Sequence, residues 1–184
     1  VTKKENFRLI IRMRRRSKFL LFRVYKYRDT GAYGELYDFY ISRIRRFITF
    51  RVSRPEDAEE LAAEVFLRGW EYATSSIVKN PGALFYKIAR NIVADHYRQR
   101  KLEMGIDEAP EIADPLELEE SISSKQEQQE LIGHLKLLKE EYRDVLVMRY
   151  LDEMNIAEIA EALEKTSGTV RVTLHRAKKA LQKH

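Results

Sequence analysis

Apolar residues in this chain recur at intervals of three and four almost from end to end, and alternation at two is scarce. That period puts one apolar stripe on each helix and leaves little from which to build a sheet, so the expected fold class is all-α. From Glu35 to Arg51 the stripe is Leu36, Phe39, Tyr40, Ile44, Phe47 and Ile48. Ser53-Arg54-Pro55 interrupts it, and Pro55 suits the first turn of a second helix that runs to about Ala73. The polar stretch from Thr74 to Asn80 reads as a loop. Asn80-Pro81, a capping side chain followed by proline, then starts a third helix that reaches about Lys101. Further on, Glu127 to Lys139, Tyr142 to Tyr150, Ile156 to Leu163 and Ser167 to Gln182 read as four more helices.

One interruption differs from the others. Residues 102–124 hold Gly105, Pro110 and Pro115 in a very acidic run poor in aromatic residues, the composition of a linker. The expected organisation is therefore a basic N-terminal extension over 1–30, a three-helix domain over 31–101, an acidic linker over 102–124, and a second helical domain over 125–184. Charge follows the same map. The net charge of +5 over 184 residues conceals an extension at +9, a third helix (81–101) at +4, an acidic stretch (102–130) at −9 and a tail (165–184) at +6. Two basic blocks separated by an acidic connector say more than the total.

Composition also excludes. With no cysteine the chain forms no disulfide and no cysteine-ligated metal site, which fits a reducing cytosol. The apolar runs Leu9 to Ile11 and Phe19 to Phe22 fall far short of the roughly 20 residues that a spanning helix needs. For the basic extension a membrane-surface helix, a nucleic-acid arm and a disordered segment are all open, with disorder favoured by composition.

The last two helices have the layout of a helix-turn-helix. Ile156, Ile159, Ala160 and Leu163 face inward on the first, Glu164-Lys165-Thr166 forms the turn, and Ser167 is an apt cap for the second. On that second helix Val170, Leu174, Ala177 and Leu181 make the core stripe. The opposite side presents Gly168, Val172, His175, Arg176 and Lys179, flanked by Thr169 and Arg171. Such a helix fits a DNA major groove, where its first residues meet base edges and nearby cations meet phosphates. The plainer alternative is a solvated cationic face, against which stands the absence of any acid in 165–184.

In the third helix Leu84, Phe85, Ile88, Ala89, Ile92 and Val93 are the apolar side. Lys87, Arg90, Arg98 and Lys101 lie opposite, bordered by Tyr86, Asn91 and Tyr97. Cations that follow a phosphate backbone, with rings beside them to stack unpaired bases, suit a single strand. Ser76 and Asn80 in the preceding loop offer polar groups to an extruded base. The competing reading is that the tyrosines belong to the edge of the core. Along the second helix, Asp57, Glu60 and Glu64 with Leu67 and Trp70 suit a basic protein partner. They equally suit a solvated face with Trp70 buried.

Taken together these stretches resemble bacterial RNA polymerase sigma factors of the extracytoplasmic-function type. DAEELAAEVFLRGW is similar to that family's core-polymerase-binding stretch, LFYKIARNIVADHYRQR to its promoter-melting helix, and LKEEYRDVLVMRYLDEMNIAEIAEALEKTSGTVRVTLHRAKKAL to its downstream domain. The resemblance implies that the second helix docks on core RNA polymerase and that the first domain opens the minus-ten element of promoter DNA. It implies further that the C-terminal helix-turn-helix reads the minus-thirty-five element. No catalysis, cofactor, metal or small-molecule substrate is implied. It also implies an anti-sigma factor as partner and a cytoplasmic location, free or held at the inner membrane by that partner. Four places depart from the pattern. Ala63 stands where glutamine is usual and Leu84 where tryptophan is frequent. Glu164-Lys165 replaces glycine and an apolar residue in the turn, and Val172-Thr173 replaces a Ser-Arg pair.

Two other classes compete. A free-standing helix-turn-helix regulator with an N-terminal sensor or dimerisation domain would bind a duplex without polymerase. A metal-dependent nuclease would need more than the histidines at 96, 134, 175 and 184, of which only Glu130 and His134 have a spacing of interest. The charge map gives the acidic linker a further expected role, shielding the basic helices of the free protein. Deleting residues 103–120 should then raise the free chain's affinity for duplex DNA at low salt, measured by fluorescence anisotropy. Unchanged affinity would refute the shielding.

Overall fold

The computed structural model describes residues 16–104, 133–135 and 137–183. Every regular element among them is helical: α1 (16–27), α2 (Thr30–Thr49), α3 (Pro55–Ser75), α4 (Pro81–Met104), α5 (Glu140–Leu146), α6 (Ile156–Leu163) and α7 (Ser167–Leu181). The third expected helix, α4, runs to Met104, past the expected Lys101, so residues 102–104 of the expected linker are helical. The rest of the linker and most of the helix expected over Glu127 to Lys139 lie outside the described residues.

Local chemistry sets the boundaries. Asp29 caps α2 by accepting from the backbone N–H of Ala32 at 2.9 Å, with Arg23 held on the same carboxylate. Pro55 opens α3 and Pro81 opens α4, and Asn80 Oδ1 accepts from the Ala83 N–H at 3.2 Å. Asn155 and Glu158 form a reciprocal capping box on α6. The cap of α7 is Thr166, which accepts from the Thr169 N–H at 3.1 Å, rather than the expected Ser167. Thr166 holds the extended backbone that a cap requires, and Ser167 is already helical.

In the first domain α2, α3 and α4 pack around Leu36, Ile44, Phe47, Ile48, Val65, Phe66, Phe85, Ala89 and Ile92. Gly69 lets α3 approach α4: a Cβ there would lie 2.6 Å from Phe85 and 2.8 Å from the Tyr33 hydroxyl. Only glycine fits that contact without a shift of a packed ring. Disorder throughout the basic extension is not what the chain adopts. Residues 16–27 form α1, whose Leu20, Leu21 and Val24 are buried in the same core. The apolar residues of this stretch fall at helical spacing, and their burial outweighs the high local charge.

In the second domain α5 runs into a π-helical turn (Val147–Leu151), and the chain then reverses through Glu153 at φ 52°. The expected helix over Tyr142 to Tyr150 is thus regular only in its first part. The widened turn matters, because it aims Asp152 and Met154 away from their own domain, and both are buried. They meet α2 and α4. The two domains pack against each other, principally α4 on α6.

If α1 is integral to the core, Leu20→Ala should cost about 2–4 kcal/mol in urea unfolding. Phe19→Ala, at a position 61% exposed, should stay within about 0.5 kcal/mol. Equal effects would mean that α1 does not pack as described.

Candidate nucleic-acid interface

Along α4, Lys87, Asn91, Arg98 and Lys101 share one exposed stripe at helical spacing. At a rise of 1.5 Å per residue it is about 21 Å long. Arg98 is tied to Asp95 at 3.1 Å. The candidate residues that border the stripe are placed differently. Tyr86 is only 1% exposed. Its ring meets Phe47 edge-on at 4.9 Å, and burial, followed by the neighbouring Asp152 carboxylate, raises its hydroxyl pKa. Tyr97 is half-buried and donates its hydroxyl to the carbonyl of Arg51. Neither ring stands free to stack a base in this conformation, contrary to the sequence expectation. Their positions on the helix turn them toward the core flank, where burial of the ring is favoured. Asn80 spends its side-chain oxygen on capping α4 while its amide reaches Glu161 at 3.4 Å. Arg90 donates to the carbonyl of Ala162 at 3.3 Å. Ser76 is half-buried at the C-terminal end of α3.

Three arginines that sequence reasoning passed over lie beside this surface on the α2 side: Arg43, half-buried, and Arg46 and Arg51, whose side chains are largely covered. Their signal was present as the basic run within 43–51, but helical spacing alone did not show that it would adjoin α4. Arg46 pairs with Asp152, and Arg51 with Asp144 and with Glu140 at 3.6 Å. Lys87 pairs with Glu164 at 2.7 Å. That contact raises the pKa of Lys87 and lowers that of Glu164, in each case through their hydrogen bond first.

The C-terminal face is arranged as its spacing predicts. Val170, Leu174 and Ala177 are buried, and Gly168, Thr169, Arg171, Val172, His175, Arg176 and Lys179 are exposed, with Ser167 half-buried beside them. A Cβ on Gly168 would meet only Thr166 Oγ1, at an ordinary 3.7 Å. Folding therefore does not require glycine there, whereas a close approach to another molecule would favour it. Val172, 51% exposed, is a large apolar residue set among these cations.

On α3, Glu60, Leu67 and Glu71 are exposed along one side, with Glu64 half-buried and paired to Arg68. Asp57 is not on that surface. It is 4% exposed, pairs locally with Arg54 at 2.5 Å, and ties the start of α3 to the end of α4 through Arg100 and His96, each at 3.6 Å. Burial acts to raise its pKa, but Arg54, His96 and Arg100 together hold it below the usual carboxylate value. Trp70 is half-buried with its ring 5.1 Å from that of Tyr33, between the two arrangements expected for it.

The family described as sigma-70 region 2 matches residues 36–103, and that described as sigma-70, region 4 matches residues 128–181. The RNA polymerase sigma-E factor of Streptomyces antibioticus is 30% identical over 156 residues, covering 79% of this chain and 83% of that protein. The ECF RNA polymerase sigma factor SigW of Bacillus subtilis is 27% identical over 167 residues, 84% of this chain and 89% of that protein. Among solved structures, the sigma factor RpoE in complex with the anti-sigma factor NepR, from Bartonella quintana, shares the fold. Its TM-score is 0.68 at 18% identity, over 82% of this chain and 94% of that one.

The exposed face of α7 gives a direct expectation. Arg171→Ala should change the preference among duplex sequences by about 1–3 kcal/mol, while Lys179→Ala should weaken binding to all of them alike. Binding titrations over a panel of duplexes check this, and equal effects on every sequence from both variants would overturn the assignment of the reading side.

Proposed function

From the premise that the chain belongs to the sigma-70 family, as an extracytoplasmic-function member that directs RNA polymerase to promoters, we propose how its surfaces divide that work. The α3 face with Glu60, Glu64, Leu67 and Trp70 docks on core RNA polymerase, and Asp57 supports it by fixing α3 to α4. The α4 stripe of Lys87, Asn91, Arg98 and Lys101, with Ser76, Asn80, Tyr86, Arg90 and Tyr97 beside it, engages the opened minus-ten strand. The exposed side of α7, from Ser167 to Lys179, reads the minus-thirty-five element in the major groove. The exposed, acid-free face of α7 carries this reading most directly.

Each surface alone is a weak reader. Docked on one enzyme, the two act at high effective concentration and their affinities multiply. The chain performs no catalysis in this scheme and needs no cofactor. Among the described residues no group of three or more His, Cys, Asp or Glu side chains is placed to hold a metal. An anti-sigma factor is the expected regulator, as the complexes of RpoE with NepR and of CnrH with the cytosolic domain of CnrY illustrate for those proteins. No described helix is long and apolar enough to cross a membrane, and we place the working protein in the cytoplasm, free or held at the inner membrane by that regulator.

Purified chain with its cognate core polymerase should give promoter-specific runoff transcripts that neither gives alone. Promoter binding without polymerase, and no such transcripts with it, would favour the free-standing regulator.

A further inference from the structure

Helix α1 is fastened to the first domain by one side only. Leu20 and Val24 are fully buried and Leu21 nearly so, while Phe19 is 61% and Phe22 55% exposed. At 100° per residue, Phe19, Phe22 and Lys26 fall within about 60° of one another on the side opposite those three. The helix cannot roll to cover the two rings without uncovering its own core contacts. The rings are also held where they stand. Arg23 lies over Phe19 at 5.9 Å, and Phe22 meets the exposed Tyr27 edge-on at 6.3 Å. Along the helix every charge is positive, and α1 continues a basic extension at +9 over 1–30. None of these residues belongs to the surfaces assigned above to polymerase or to DNA.

We propose that the outer side of α1 docks reversibly on an anionic lipid bilayer, with Phe19 and Phe22 entering the headgroup region and Lys18 and Lys26 meeting lipid phosphates. An exposed apolar patch ringed by cations fits a partner that is apolar within and negative at its rim, as an anionic bilayer surface is. A second copy of the chain brings the same positive charges and is repelled. Nucleic acid is met best by guanidinium groups, which match a phosphate with two parallel hydrogen bonds. On this helix the guanidiniums of Arg16 and Arg23 are already engaged, by Glu35 and Asp29 at 2.5 Å each. Lys18 and Lys26 have no ion-pair partner among the described residues, and both are exposed. Lysine is a flexible point charge, suited to a mobile layer of headgroups, where each adds roughly fivefold to partitioning. Because α1 is already folded against its domain, docking orders no new backbone. Such a contact places the first domain at a lipid surface without an anti-sigma factor to hold it there.

The test uses the full chain and vesicles of phosphatidylglycerol and phosphatidylcholine in equal parts, read by co-sedimentation. At low salt the chain should bind these vesicles and not vesicles of phosphatidylcholine alone. Phe19→Ser with Phe22→Ser leaves every charge in place and should weaken binding roughly tenfold. Its thermal midpoint should stay nearly unchanged, both positions being exposed. Lys18→Gln with Lys26→Gln should weaken binding at least as much, and this variant decides the matter if the first unfolds. Binding unchanged in the phenylalanine variant would reduce the contact to the charge of the extension and overturn the proposal, as would no binding by the parent chain. Two other results would reassign the face. With vesicle binding intact in both variants, loss of DNA affinity in the phenylalanine variant would give it to nucleic acid. Loss of a dimer seen by sedimentation, again with vesicle binding intact, would give it to a second copy. Either result would overturn the proposal.

Discussion

Arg46 of α2 and Arg51, just beyond its end, meet two carboxylates of the second domain, Asp152 and Asp144, in a seam closed to water. The relation between the domains depends on this burial. Charges removed from water must be matched: deleting one partner of a buried pair costs about 3–5 kcal/mol, while the pair as a whole adds little over apolar packing. Such a seam specifies one arrangement without making it deep. Around it the chain places ordinary helical cores, built on Leu36, Ile44 and Phe85 in the first domain and on Ile159, Val170 and Ala177 in the second.

An interface held by paired charges between two helical domains suits a factor with two readers. Promoter recognition on polymerase requires both surfaces at once, held apart at the distance between two DNA elements. A free chain with both surfaces open would bind any DNA through charge alone. In this arrangement Asn80, Lys87 and Arg90 are engaged by Glu161, Glu164 and the Ala162 carbonyl, while Asn91, Arg98 and Lys101 of α4 and the outer side of α7 stay exposed. The acidic linker was the expected shield. That segment beyond Met104 lies outside the described residues; among the described ones, acids of the second domain meet the basic side chains of the first.

Much of the fold was legible because helical period and capping chemistry are local. Pro55, Asn80-Pro81 and the stripes of α2 to α4, α6 and α7 follow from neighbours within four residues. The exposed side of α7 was legible for the same reason. What escaped the sequence was set by distant contacts. Tyr86 and Asp57 carry the right chemistry for a surface but are turned inward by Phe47 and Arg54 respectively. The cap moved from Ser167 to Thr166, a shift of one residue that side-chain preference does not resolve. Helix α1 hid behind its own charge, since Arg16, Lys18, Arg23 and Lys26 surround the three apolar residues that bury. The seam escaped for the same reason, because its partners are 93 and 106 positions apart in the chain.

For the side chains of α4 engaged in the seam to reach DNA, the domains must part. Lys87→Cys with Glu164→Cys places two thiols in an otherwise cysteine-free chain at a pair now joined by an ion pair. A short bifunctional maleimide would then lock the seam, with a monofunctional maleimide on the same variant as control. Both chains lack Lys87, so the control sets the reference level, and promoter-directed transcription with core polymerase should be lost in the locked chain relative to it. Equal transcription from the locked and control chains would contradict the account.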